Sequence, residues 1–268
     1  MLRIQIGQPR VGKTKVVKKM INESQKRKLI FDFNNDFNDI KGVIADLESY
    51  HPLMEDLTLE EVKILNAGYL QSSRCLYRKA EDIFRETKEE KLPNIIQEST
   101  ERLSVSLDDK WGEPEYARQL VERIPKKIIL KQKPLTHIIE LLEENEVVIV
   151  KSKSIHSDHL RAMMYMLLYK VSQRKDLDVN IIADEVSTLF FKGNIKLLFE
   201  VIDSKSLDIV ISCNRPSNIP KTMKPIVDEW ALFKNTDKSE VRYLSQHFDV
   251  GKEVDFANIP VGKYEIHK

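Results

Sequence analysis

Gly7-Gln8-Pro9-Arg10-Val11-Gly12-Lys13-Thr14 is a complete GxxxxGK[ST] phosphate-binding loop. Four residues between two glycines let a backbone curl around a phosphate chain with its N–H groups turned inward, and Gly7 and Gly12 permit that curl. Lys13 is expected to reach the β- and γ-phosphates as a point charge. The Thr14 hydroxyl is expected to hold Mg²⁺, and the helix that begins there would present its positive end to the anion. The flanking sequence supplies the context such a loop requires: Leu2 to Ile6 alternates like a short strand, and Lys13 to Ile21 reads as a helix. A chance match would lack both flanks. The expected ligand is therefore a nucleoside triphosphate, ATP with Mg²⁺.

Working outward, Lys28 to Phe33 reads as a second buried strand ending in the turn-forming cluster Asn34-Asn35-Asp36, and Ile40 to Leu47 reads as a helix. From about Tyr50 to Pro134 the chain is highly charged and helix-forming, which predicts an inserted helical subdomain within a single ATPase domain spanning 1–268. Its basic residues Arg74, Arg78, Lys79, Arg85, Lys88 and Lys91 alternate with Glu81, Asp82, Glu86, Glu89 and Glu90, so a solvated helical face and a nucleic-acid surface are both open readings.

Beyond the insertion, Pro134 to Glu144 predicts a short helix, and Glu146 to Val150 is a near-continuous apolar strand of the kind buried on both faces. A long amphipathic helix follows from Ser157 to about Gln173, with Leu160, Met163, Met164, Leu167, Leu168 and Val171 on one face. His156 and His159 at its start have no third His or Cys nearby, so capping and exposure explain them better than metal binding. Val179 to Glu185 and Leu207 to Asn214 read as buried strands carrying polar residues at their C-terminal ends, where open parallel sheets bind ligands. Trp230 to Phe233 is another strand, Ser239 to His247 a helix, and Gly262 to His267 a terminal strand. Strands alternating with helices predict an α/β fold with a mostly parallel sheet, that of a P-loop NTPase of the RecA-like kind.

Composition bounds the function classes. The 43 basic and 42 acidic side chains leave a formal charge of +1, so any attraction to nucleic acid must be local. Cys75 and Cys213 lie far apart without metal-like spacing, which fits a reducing, cytoplasmic setting. The longest apolar run, Ala162 to Tyr169, falls far short of the roughly 20 residues that span a membrane, so no membrane insertion is expected.

Two strand ends extend the chemistry of the loop. Asp184 closes a hydrophobic strand, the position from which a carboxylate can hold Mg²⁺ beside Thr14. Glu185 follows directly and is placed to polarise an attacking water as general base. Asn214 suits contact with the γ-phosphate or that water, and Arg215 could reach a phosphate or a surface carboxylate. Water-activating carboxylates speak against a small-molecule kinase. A nucleotide-dependent assembly switch that binds ATP without moving DNA remains the reading from another class.

The order of these features resembles the HerA/FtsK superfamily of DNA-pumping ATPases: Gly7 to Thr14, Asp32 near the end of the second strand, the Glu146 to Val150 strand, the long helix, Asp184-Glu185, and Cys213-Asn214-Arg215-Pro216-Ser217. The last segment is similar to the family's Thr-Gln-Arg-Pro-Ser segment, with Asn214 in place of the sensor Gln, and Ile259 to Tyr264 resembles its closing strand. The resemblance covers about 2–32 and 146–268. It implies a homo-oligomeric ring, usually a hexamer, that threads double-stranded DNA while hydrolysing ATP between subunits. Viral genome packaging, with docking on a portal or vertex protein in host cytoplasm or virion, is the expected branch; a HerA-like plasmid-transfer or repair translocase is the alternative. One departure is that the family's trans-acting arginine before the sensor strand is matched only by Lys205, leaving Arg215, Arg118 or Arg123 as candidates.

Overall fold

The computed structural model describes residues 1–51, 60–61, 64, 67–68, 133–152, 157–184, 191, 195–202, 207–250 and 254–267. Ten strands and five α-helices are bounded among these. The strands are β1 (Leu2–Ile6), β2 (Arg27–Phe31), β3 (Val43–Asp46), β4 (Tyr50–His51), β5 (Lys133–Pro134), β6 (Val147–Lys151), β7 (Val179–Ala183), β8 (Asp208–Cys213), β9 (Glu229–Leu232) and β10 (Glu265–His267). The helices are α1 (Lys13–Glu23), α2 (Thr136–Glu144), α3 (Ser157–Gln173), α4 (Ile195–Val201) and α5 (Lys238–His247).

Eight strands form one sheet in the order β10-β9-β1-β8-β7-β2-β6-β3. All neighbours run parallel except β10, which returns antiparallel along β9. Because side chains alternate across a strand, β2 sends Leu29 and Phe31 to one face and Ile30 to the other. Leu29 and Phe31 join Leu2, Ile4 and Ile6 of β1 in the large core with α2 and α3. Ile30 joins Ile149, Ile182 and Val210 beneath Val17 and Ile21 of α1. The sheet is thus covered on both faces, as its apolar strands require.

Two sequence expectations change. Ile40 to Leu47 is not a helix: Val43–Asp46 forms the edge strand β3 on β6, followed by a 3-10 turn at Leu47–Ser49. The β-branched pair Val43-Ile44 after Gly42 favours extension, and the free edge of β6 supplies the partner. The charged segment therefore follows β3 and β4 rather than β2 directly. Its two ends meet, since Tyr50 pairs with Lys133 and His51 with Pro134 in a parallel β4–β5 pair. Most of 52–132, including Arg118 and Arg123, lies outside the described residues.

Helix α3 is also more deeply buried than a one-sided stripe predicts, with every residue from Ala162 to Leu168 fully inaccessible. Helical residues 60, 61, 64, 67 and 68 lie against it: Arg161 donates through Nε to the Gly68 carbonyl at 2.5 Å, and Lys170 pairs with the buried Glu61. A Cβ at Gly68 would stand 2.3 Å from the Ala162 Cα, so only glycine admits this approach. No helix among the described residues is long and apolar enough to cross a membrane.

Between α1 and the sheet lies a polar strip. Arg3 pairs with Glu229 across β1 and β9, while the buried Gln5 Oε1 and Ser212 Oγ, opposite one another in register, have no hydrogen-bond partner among the described residues. A buried hydroxyl without a partner costs about 1–3 kcal/mol. Ser212→Ala is expected to raise Tm by about 2–4 °C in a thermal melt, the shift that follows from ~1 kcal/mol in a chain of this size. An unchanged or lowered Tm would mean that the hydroxyl is satisfied in solution.

Candidate functional site

The loop leaves β1 at Gly7 and is held from three sides. Gly7 N donates to Cys213 O at 3.3 Å at the end of β8, and Gln8 N donates to Lys234 O at 3.1 Å just beyond β9. From the C-terminal segment, Gly262 N donates to Val11 O at 2.8 Å. Val11 is buried with Ala231 and Phe233, and the Phe233 ring stacks on Tyr264 at 5.1 Å between centroids. Gln8 Oε1 also accepts from the Thr236 backbone and hydroxyl at 3.2 and 2.9 Å. The path of the loop needs left-handed backbone at Arg10 (φ 64°) and Gly12 (φ 94°). Pro9 and Arg10 stand exposed at its crest.

Lys13 opens α1 yet is buried. Its ammonium donates to Gly7 O at 2.7 Å, Gln8 O at 2.9 Å and Asn214 Oδ1 at 2.6 Å. The lysine of the loop and the polar end of β8 are thus in direct contact. One turn on, Thr14 Oγ1 donates to Asp184 Oδ2 at 2.6 Å. Asp184 follows β7, which is separated from β1 by β8, so the C-terminal ends of three adjacent strands converge on Lys13 and Thr14. Thr14 hydroxyl and Asp184 carboxylate are hard oxygen donors side by side, a set that fits Mg²⁺, which completes its shell with water and phosphate oxygens. When bound, that ion would neutralise charge on the phosphates.

Glu185 and Lys205 lie outside the described residues, as does His156. Arg215 is exposed at the start of the 3-10 turn Pro216–Asn218, and its charge acts on Asp237. Asp237 caps α5, and Glu240 of that helix accepts from both the backbone and the hydroxyl of Ser217 at 2.8 Å. Hydrogen bonds from the Ser239 hydroxyl, then from the Ser239 and Glu240 backbones, hold the Asp237 carboxyl below its ordinary range. A depressed folded pKa gives stability that is present above the unfolded value of about 3.9 and is lost as pH falls through the folded one. Asp237→Ala is expected to lower Tm near neutrality, with the difference from wild type closing at the lowest pH at which the chain stays folded.

The structure brings further residues to the site. Asp32 stands beside Asp184 because Phe31 pairs with Ala183. Its oxygens accept from Asp36 N at 2.8 Å and Phe37 N at 3.3 Å, and Lys151 Nζ lies 3.5 Å away. Lys151 also donates to Asn35 at 3.0 Å and Asn38 at 2.6 Å, so the turn after β2 is pinned at the end of β6. A lysine ending an apolar strand was the only sequence signal for it. Thr236 carried none and Gly262 only its place in the Ile259 to Tyr264 segment, since their contacts to the loop bridge more than two hundred residues.

No protein-family model matches the sequence, and no curated protein does. Solved structures do. VirB4 of Thermoanaerobacter pseudethanolicus aligns with a TM-score of 0.56 at 10% identity, covering 97% of this chain and 84% of that one. The bacterial conjugative coupling protein TrwB, in a sulphate complex, aligns at 0.54 and 9% identity over 94% of this chain and 72% of its own. The genome-packaging NTPase B204 of Sulfolobus turreted icosahedral virus 2, with ATP-γS, aligns at 0.49 and 11% identity over 100% and 96%. The chain shares the P-loop NTPase fold of these structures.

Proposed function

We propose that this protein is an ATPase that couples hydrolysis to movement of double-stranded DNA. The observation that carries the ATPase half is the pair of contacts Thr14–Asp184 and Lys13–Asn214, which join three strand ends into one site around the loop. Loop N–H groups and Lys13 bind the triphosphate. Lys13 exchanges its carbonyl acceptors and Asn214 for phosphate oxygens, and Asn214, released, faces the γ-phosphate and the attacking water. Thr14 and Asp184 would hold Mg²⁺, and Glu185 takes the proton of that water as general base. A cation from a neighbouring subunit stabilises the departing charge, in keeping with the exposed position of Arg215 and with a ring assembly.

The DNA half rests on the resemblance of the Cys213 to Ser217 segment and of the Asp184-Glu185 pair. Within that resemblance, viral genome packaging is the branch proposed. A plasmid-transfer motor is the second reading, favoured by the likeness to TrwB, a conjugative coupling protein. ATP hydrolysis measured with and without duplex DNA, alongside mass in solution with ATP present, tests the proposal. Stimulation by duplex and a ring-sized assembly are expected; a monomer whose hydrolysis ignores DNA overturns translocation in favour of an assembly switch. Glu185→Gln is expected to lower kcat at least about a hundredfold, the low end for a general base, while ATP binding persists. Undiminished hydrolysis would remove Glu185 from that role.

A further inference from the structure

The strands of the sheet present their C-terminal ends to the nucleotide loop, and a second cavity opens at the opposite edge. About 470 Å³ in volume, it lies between the last turns of α1, the start of β2, the Asp39–Lys41 turn and the start of β6. Helix α1 spans from one site to the other, about 16 Å at 1.5 Å per residue. Three lysines line the cavity, Lys18, Lys28 and Lys41, with the side-chain amides of Asn22 and Gln25 at its rim.

Lys28 distinguishes this cavity from a solvated surface groove. Lying on the same face of β2 as Ile30, beneath α1, it is only 6% exposed. Its side chain has no hydrogen-bond or ion-pair partner among the described residues. An ammonium has three N–H donors and no acceptor; the stem of Lys28 is buried, but its Nζ is not among the fully buried atoms that lack a partner, so the charge opens into the cavity with its donors unfilled by the protein. The acids nearby do not relieve it: Asp39 is taken by Lys18 at 2.6 Å, and Glu146 is exposed at the mouth. Lys18, which lies over the Phe37 ring, is thereby neutralised, whereas Lys28 and Lys41 keep their charge toward the cavity.

We propose that this cavity is a binding site, separate from the nucleotide loop, for a small oxyanion ligand whose phosphate or carboxylate group seats on Lys28. The volume falls in the range of small-molecule sites, and the polar lining suits a hydrophilic ligand. Lys28 supplies a charge held on a buried stem at the cavity floor, Lys41 a second cation from the rim, and Asn22 and Gln25 neutral donors.

The test uses the full chain carrying Lys13→Ala, which removes the loop as a competing phosphate site, titrated calorimetrically with inorganic phosphate and, in parallel, succinate, each at matched ionic strength against chloride. Saturable binding of one of the two is expected, and the one that binds identifies the anionic group. Adding Lys28→Met, which keeps the apolar stem, is expected to weaken that binding at least tenfold while leaving Tm equal or higher. Asn22→Trp, at the exposed rim, is expected to weaken it without touching the core, and stands in should Lys28→Met fail to fold. Binding that both variants leave unchanged, or no binding beyond that of chloride, overturns the proposal. Duplex DNA binding that Lys28→Met weakens, with neither small anion bound, also overturns it.

Discussion

Lys13→Ala should reduce ATP hydrolysis by at least a thousandfold, equivalent to about 4 kcal/mol of transition-state stabilisation. The magnitude follows from where the ammonium sits. It is 4% exposed, surrounded by Gly7 O, Gln8 O and Asn214 Oδ1 at 2.6–2.9 Å, so phosphate meets it in a site largely stripped of water. A charge in that setting interacts far more strongly than on the surface. Its removal deletes the cation proposed to face the β- and γ-phosphates, together with its hydrogen bond to Asn214. Phosphate release and calorimetric binding of a non-hydrolysable ATP analogue read the two consequences separately. Full binding with lost hydrolysis would confine Lys13 to the transition state, whereas retained hydrolysis would contradict its assignment.

Gly12→Ala is expected to be nearly as severe, through geometry rather than charge. Gly12 has φ 94°, and a Cβ there would lie 2.9 Å from the Cα and 3.1 Å from the nitrogen of Gly262. Backbone cannot rotate away as a side chain tip can, so the C-terminal segment, the loop or both must move. Gly262 provides the comparison: its φ is 80°, but nothing lies within 4 Å of its Cβ position. Gly262→Ala should therefore incur only left-handed strain, about 1–2 kcal/mol. Nucleotide affinity is expected to fall a hundredfold or more in Gly12→Ala and much less in Gly262→Ala, with a thermal melt confirming that both fold. Equal losses would show that strain at φ dominates and that the close approach of the two glycines is unimportant.

Most of the sheet was legible because its signals are local. Val147–Lys151, Val179–Ala183 and Asp208–Cys213 are apolar runs with polar ends, and such runs mark strands buried on both faces wherever they occur. Ile40 to Leu47 misled for the same reason: a short apolar run has no intrinsic period to distinguish helix from strand. Its state was decided by a neighbour, the open edge of β6, and Ile44 consequently stands 60% exposed on an edge strand. Helix α3 was placed by its stripe, but the stripe could not show that Glu61 and Gly68 pack against it as well.

By itself the sequence determined the phosphate loop, the strands that end in Asp184 and Asn214, and the α/β class, because glycine spacing, strand length and terminal polarity are written within a few consecutive residues. Tertiary structure alone decided the strand order, and with it which ends meet: Thr14 against Asp184, Lys13 against Asn214, Asp32 beside Asp184, Gly262 over Gly12, and Lys28 facing a cavity at the far end of α1. Periodicity reports how deeply a residue is buried but not against what. Partners separated by a hundred residues or more are chosen by crossovers and packing, which bring distant strand ends together only once the whole sheet has closed.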